Sequence, residues 1–227
     1  MVCFERNMPD ETPVNAEFMG YFGLSSPVPL LRFPEEYSGQ KHVRLACTQH
    51  DMTPYQQKKI TDRWVSFLRN KKLNLESVMF ATRLPQSVFD AVCCQEGITA
   101  LWIKWCAAAD LGEIAKLKNL KTLYVGMGTS IRDLTPIGSL ENLEVLRLGN
   151  TERVTDYSPL GKLSRLKALE IEASDKLNSR MLHMKSDSFL FDLRELELLN
   201  LCDVQVEDRA FLFEENVEHI QSIRFQK

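Results

Sequence analysis

The residue types best suited to chemistry here are six cysteines and four histidines, and their spacing argues against most reactions. Cys93 and Cys94 are adjacent, which is neither a C-x-x-C redox or zinc pair nor a usual disulfide, and Cys3 and Cys47 stand alone. This usage fits a reducing compartment better than a disulfide framework. His42, Cys47, His50 and Asp51 could form a loose metal cluster, but the spacing matches no familiar site. Gly126-Met127-Gly128 lacks the third glycine and the following helix that a phosphate-cradling loop needs. No G-x-S-x-G elbow and no H-E-x-x-H occurs, and no pair of carboxylates stands apart as general acid and base. The expectation is a chain that is not an enzyme, with no cofactor and no metal.

What remains is a set of aromatic, methionine and charged residues whose value depends on where a scaffold puts them. That scaffold is written in the leucines. Leu120-x-x-Leu123-x-Val125, followed by Ile131, Leu134, Pro136-Ile137 and Leu140, recurs 23 residues later as Leu143-x-x-Leu146-x-Leu148, Val154, Tyr157, Pro159-Leu160 and Leu163. The same core phrase can be placed at Leu75, Ile98, Leu120, Leu143, Leu166, Leu193 and Ile220, with spacings of 23, 22, 23, 23, 27 and 27. A period of about 20–29 residues with L-x-x-L-x-L spacing is the mark of a leucine-rich repeat. Each short core predicts one strand of a parallel sheet. The middle connections are too short for long helices and predict 3₁₀ or extended turns. The two longer repeats have room for helices at Asn178–Met184 and Glu207–Glu215.

Asp133-Leu134-Thr135-Pro136-Ile137-Gly138-Ser139-Leu140-Glu141-Asn142, and the second copy starting at Asp156, resemble the internalin-like class of leucine-rich repeats, closely over Ile98–Ile171 and loosely elsewhere. The resemblance implies an α/β fold: a right-handed leucine-rich-repeat solenoid whose parallel β-sheet lines a concave, protein-binding face. One departure is plain. The ninth repeat position reads Arg83, Cys106, Gly128, Thr151, Ser174 and Leu201, so the asparagine ladder of that class is missing. Either waters satisfy the turn N–H groups, or Asn150 and Asn200, one position earlier, do so through shifted turns.

Ahead of the repeats (75–227) lie two further segments. Residues 1–40 hold five of the nine prolines and are expected to be irregular. Within them Phe18–Leu24 is too apolar for a free tail, and either covers an end of the solenoid or docks a partner. Residues 41–74 form an expected N-terminal cap. His42–Cys47 alternates like a half-buried strand, and Thr53-Pro54 opens a helix whose Ile60, Trp64, Phe67 and Leu68 share one face.

In L1-x-x-L4-x-L6, residues 4 and 6 point into the core and residues 3 and 5 point out of the sheet. The fifth-position column then reads Met79, Trp102, Tyr124, Arg147, Glu170, Glu197 and Arg224, beside a column of mostly small third-position residues. Met79, Trp102 and Tyr124, with Trp105, Met127 and Lys104, predict an aromatic patch of the kind found at interface centres, unless the N-terminal segment hides it. Glu170, Glu172, Glu195 and Glu197 form an acidic cluster. It either meets a basic partner or is compensated by Arg147 and Arg224 in the same column.

The net charge of −3 gives no general attraction to nucleic acid, and no apolar run reaches the ~18 residues of a membrane span. The first residues, Met1–Arg6, carry no signal-peptide core, so a cytoplasmic (or nuclear) protein is expected. From Leu166 onward there are 13 acidic and 8 basic residues, which leaves the rest at about +2. The reading is a non-catalytic module that docks a partner protein on its concave face, as an inhibitor, immunity protein or adaptor would. Two rivals stay open: an enzyme with an N-terminal active region, and a self-associating scaffold paired as a homodimer along the C-terminal edge strand.

Overall fold

The computed structural model describes residues 28–49, 52–173 and 181–211 in full, and Ser222–Gln226 by their backbone. Strands form at β1 (Leu30–Leu31), β2 (His42–Leu45), β3 (Ser77–Leu84), β4 (Ala100–Cys106), β5 (Thr122–Val125) and β6 (Val145–Gly149). They continue with β7 (Ala168–Glu172), β8 (Leu182–Ser186), β9 (Leu198–Cys202), β10 (Val204–Asp208) and β11 (Ser222–Gln226). Among the described residues, two α-helices, α1 (Pro54–Asn70) and α2 (Gln86–Val92), follow β2 and β3. Among the described residues, nine strands make one parallel sheet in the order β1-β2-β3-β4-β5-β6-β7-β9-β11, and β8 and β10 pair separately. The fold is a leucine-rich-repeat solenoid.

Each repeat lays one strand beside the last because its leucines have nowhere else to go. Leu101, Ile103, Leu123, Val125, Leu146, Leu148, Leu169 and Ile171 sit at repeat positions 4 and 6, and all are buried. Ile131, Leu134, Ile137 and Leu140 close the same core from the opposite side. There the chain makes the expected 3₁₀ turns, at Gly112–Lys116, Ile137–Ser139, Ser158–Lys162 and Ser188–Asp192. The aspartate of the repeat phrase starts these turns. Asp110, Asp133 and Asp156 each accept the N–H two residues on, from Gly112, Thr135 and Ser158, at 2.8–2.9 Å. Successive turns press together so closely that a Cβ on Gly138 would lie 2.3 Å from the Pro159 carbonyl oxygen.

The sheet begins earlier than the leucine count implies. β1 and β2 pair in the same parallel register with β3, Leu30↔Arg44 and Arg44↔Met79, so part of the segment expected to be irregular is sheet. α1 starts at a capping box: Thr53 Oγ1 accepts the Gln56 N–H, and Gln56 Oε1 accepts the Thr53 N–H at 3.0 Å. Its Ile60, Trp64 and Leu68 are buried, with Phe67 partly so. At its other end Gln95 Nε2 donates to the carbonyls of Leu68 and Lys71, groups a helix leaves unpaired. Phe18–Leu24 lies outside the described residues.

Two expectations fail at the C-terminal end, for one reason. Leu193 is not the start of a core phrase. It caps the 3₁₀ turn as Leu117, Leu140 and Leu163 do, and each of those stands three residues before the true first leucine. The sixth core is therefore Leu196-x-x-Leu199-x-Leu201, with Glu170↔Asn200 and Ile171↔Leu201 in register, and the spacings are 30 and 24 rather than 27 and 27. Where they are described, the segments expected to be helices run as strand at 182–184 and 207–208. β8 pairs in parallel with β10 as Leu182↔Val204 and Val206↔Met184; residues 178–180 and 212–215 of those expected helices lie outside the described ones. Leu182, Met184 and Val206 are buried and His183, Lys185, Gln205 and Glu207 exposed, an alternation of period two that favours strand over helix.

The ninth position also needs correction. A bulge between Phe80 and Arg83 puts buried Leu84, not exposed Arg83, opposite Cys106, and Leu201 is a sixth-position core residue. Backbone carbonyls do the work expected of asparagines or waters. The turn N–H groups of Cys106, Gly128 and Asn150 donate to the carbonyls of Gly126, Gly149 and Glu172 in the following repeat, at 2.8–2.9 Å. Asn150 takes a left-handed φ of 54°, which asparagine tolerates, and Asn200 is a strand residue.

Candidate protein-docking face

The open face of the sheet displays repeat positions 3, 5 and 7, and the register now fixes its columns. The fifth-position column runs Leu30, Arg44, Met79, Trp102, Tyr124, Arg147, Glu170, Asn200 and Arg224. At its centre the Trp102 and Tyr124 rings meet edge to face, with centroids 4.8 Å apart and planes at 74°. Rings of this geometry attract through their quadrupoles beyond simple burial, by about 0.5–1.5 kcal/mol. Both rings, and Leu198 from further along the sheet, pack against Val145 and Ala168, a small apolar cluster of the third-position column separate from the main core.

Position 7 explains how a tyrosine fits. That column reads Lys104, Gly126, Gly149, Glu172, and a Cβ on Gly126 would meet the Lys104 carbonyl at 2.6 Å and the Tyr124 hydroxyl at 2.7 Å. The ring therefore lies along its own strand over Gly126. Arg147 reaches over Gly149 to Glu172, whose Oε1 would be 3.5 Å from a Cβ there.

Arg147 joins the rings to the acidic residues. Its guanidinium carbon sits 5.0 Å from the Tyr124 ring centroid, Nη2 donates to both Glu172 oxygens at 2.8 and 3.0 Å, and Nε is 3.5 Å from Glu170 Oε2. Asn200 Nδ2 donates to the other Glu170 oxygen at 3.1 Å. The carboxylate side chains of Glu170 and Glu172 are only 6% and 11% exposed, so this is a built ion-pair cluster rather than a solvated acidic surface. Burial works against the Arg147 charge, but Glu170 and Glu172 outweigh it and raise its pKa; burial likewise raises that of the Tyr124 phenol.

The remaining expected site residues separate into other places. Glu197 is not in the aromatic column. It occupies position 2, at the strand entrance, where Lys41–Glu76 pair at 2.6 Å and Glu144 bridges Lys121 and Lys167 at 3.4 and 3.0 Å. Its N–H donates to the Lys167 carbonyl as the Lys167 N–H does to that of Glu144. Glu195 is exposed in the turn before that strand. The expected four-glutamate cluster is thus two glutamates, Glu170 and Glu172, beside one arginine, while the side chain of Arg224 lies outside the described set. Trp105 and Met127, 40% and 38% exposed, lie at the exit ends of β4 and β5 with Lys104 Nζ 5.7 Å from the Trp105 ring centroid. Met79 is partly buried in the aromatic column.

Residues that the leucine count passes over are Gly126, Gly149 and Asn200. The glycines were open to view, since the 23-residue offset aligns them; Asn200 required the corrected phase. Cys47, Cys93 and Cys106 are buried, and burial pushes each thiol above its ordinary range. Of the loose metal cluster, His42 Nδ1 lies 2.7 Å from Ser77 Oγ, and His50 and Asp51 lie outside the described residues.

Solved structures carry the same fold. Internalin C2 from Listeria monocytogenes is similar at 21% identity and a TM-score of 0.58, over 91% of this chain and 74% of its own. An internalin, inlF, from the same bacterium is similar at 16% identity and a TM-score of 0.56, over 82% of this chain and 49% of its own. No protein-family model and no curated protein matches the sequence. At these identities the likeness is one of fold: the leucine-rich-repeat solenoid.

Proposed function

We propose that this chain is a non-catalytic, cytoplasmic protein-binding module that docks a partner protein on the open, concave face of its sheet. The observation carrying this reading is the edge-to-face Trp102–Tyr124 pair, partly buried at the middle of that face. Both rings stand on strands hydrogen-bonded on either side, on a bed of small apolar residues, with Arg147 clamping one of them. Such a surface is already in its bound shape, so association loses little side-chain entropy. Trp and Tyr in this setting are the residue types that dominate interface energies, each contributing about 2–4 kcal/mol.

The test is affinity purification of a tagged full chain with mass spectrometry, followed by titration of the recovered partner against Trp102→Ala and Tyr124→Ala. Each variant should weaken binding by about 30- to 1,000-fold, the equivalent of that anchor energy. Wild-type affinity in both variants would refute the reading. A second arrangement is favoured by one observation: β11 is the last strand of the sheet among the described residues, and its outer edge can pair with another strand. Association of two copies along β11 would appear in analytical ultracentrifugation as a dimer insensitive to Trp102→Ala.

A further inference from the structure

The register makes the two ends of the open face electrostatically unequal, and the inequality lies in exposed cations at the N-terminal end rather than in exposed carboxylates at the other. In the acidic half, Glu170 and Glu172 are buried against Arg147 and Asn200, so they offer little to a basic ligand. The other half keeps cations exposed. Arg83 and Trp105 face each other across β3 and β4, and with Met127, Thr129 and Ser130 they line a cleft of about 220 Å³ at the exit ends of β3–β5. Lys104 stands beside it, over the Trp105 ring. Among the described residues no carboxylate lines this cleft, and the Arg83 guanidinium has no anionic partner.

The cleft is smaller than the ~300–1,000 Å³ of small-molecule sites, which suits one side chain rather than a cofactor. Its apolar walls include Trp105 and Met127, and its polar side chains are a guanidinium and two hydroxyls, with the Lys104 ammonium near the Trp105 ring beside it. An acidic side chain matches both features: its methylenes lie against the apolar walls, and its oxygens accept from a guanidinium fork. We propose that this cleft receives an aspartate or glutamate side chain of the partner protein, so that the partner presents an acidic, not a basic, segment to this face. The inference rests on the docking reading above and adds the partner's charge and the place where it is read.

The probe is a phage-displayed library of short random peptides, selected in parallel on the full wild-type chain and on the full-length double variant Arg83→Glu/Lys104→Glu. Both substituted side chains are exposed, and matching thermal melts establish that the variant is folded. The expected result is enrichment of acidic peptides on the wild-type chain, with affinity for the double variant lower by about ten- to a hundredfold, the loss of a charged hydrogen bond. Basic or charge-neutral winners, no winners, or acidic winners that bind both proteins equally would each overturn the proposal. Trp102→Ala is measured on the same peptides. Loss of binding there with retention in the double variant sinks the acidic-cleft assignment and leaves the docking face standing. Loss in the double variant alone upholds the cleft and counts against the aromatic pair as the anchor. Bound peptides displaced by a peptide of this chain's own residues 1–27 would show that the cleft's acidic ligand is intramolecular, and would overturn the partner assignment.

Discussion

Arg147→Met tests the ion-pair cluster at the one cation that the described residues place in it. The methionine keeps most of the volume and the contact with Tyr124 but removes the charge, leaving Glu170 and Glu172 facing each other across adjoining repeat positions with side chains 6% and 11% exposed. Removing one partner of a fully buried pair costs about 3–5 kcal/mol, and the 18% exposure of the Arg147 side chain discounts this to roughly 2–3 kcal/mol. For a chain of this size that is a fall of about 5–10 °C in melting temperature. The pH dependence carries the diagnosis. Buried carboxylates without a cation hold protons more tightly in the folded than in the unfolded state. The folded variant therefore gains on the unfolded one as pH falls, and the gap to wild type narrows from neutral pH towards pH ~4–5. Differential scanning calorimetry of both proteins across that range reads the effect, and adding Glu170→Gln and Glu172→Gln should restore much of the loss at neutral pH. A shift under about 1 °C that is flat with pH would refute the reasoning, because it would mean that water already screens these charges.

Three further predictions concern the scaffold. Gly126→Ala should lower stability by about 1–3 kcal/mol in urea unfolding, since its Cβ meets a backbone oxygen at 2.6 Å, whereas Gly149→Ala, with its nearest neighbour at 3.5 Å, should stay within about 0.5 kcal/mol of wild type. Gly138→Ala should be the more damaging of the crowded pair, because the 2.3 Å approach is to the backbone of the next repeat; urea unfolding should place its midpoint below that of Gly126→Ala. Hydrogen bonds from Thr135 and Ser158 hold the Asp133 and Asp156 carboxyls below the usual range. Their contribution is present above the ordinary aspartate pKa of about 3.9 and lost as pH falls through the lowered values. Asn at both positions should therefore flatten the melting temperature below pH ~4 relative to wild type, and thermal scans across that range read it.

The fold was legible because the repeat is carried by burial. Leucines 23 residues apart can satisfy each other only by stacking, and from Leu75 to Ile171 the register follows the count. It failed at Leu193 because this leucine belongs to a longer phrase. The residue closing the 3₁₀ turn and the first core residue are both leucine and three apart, so L-x-x-L-x-L fits the sequence at Leu193 and at Leu196. The alternating position-2 charges, Lys121, Glu144, Lys167 and then Glu197, separate the two placements, and the hydrophobic pattern alone does not. Of the candidate site, the Trp102–Tyr124 neighbourhood followed from spacing. The burial of Glu170 and Glu172 did not, since it depends on how an arginine two columns wide crosses a glycine.

The early entry of β1 and β2 into the sheet sets a ruler for whatever binds. Nine strands at about 4.8 Å give an arc of roughly 38 Å, which about eleven residues of extended chain would traverse. The aromatic pair lies near the midpoint of that arc, three to four strands from β1 and four to five from β11. A ligand that uses both it and the first strands must approach from the amino-terminal flank, and one of half that length has to choose which flank to occupy.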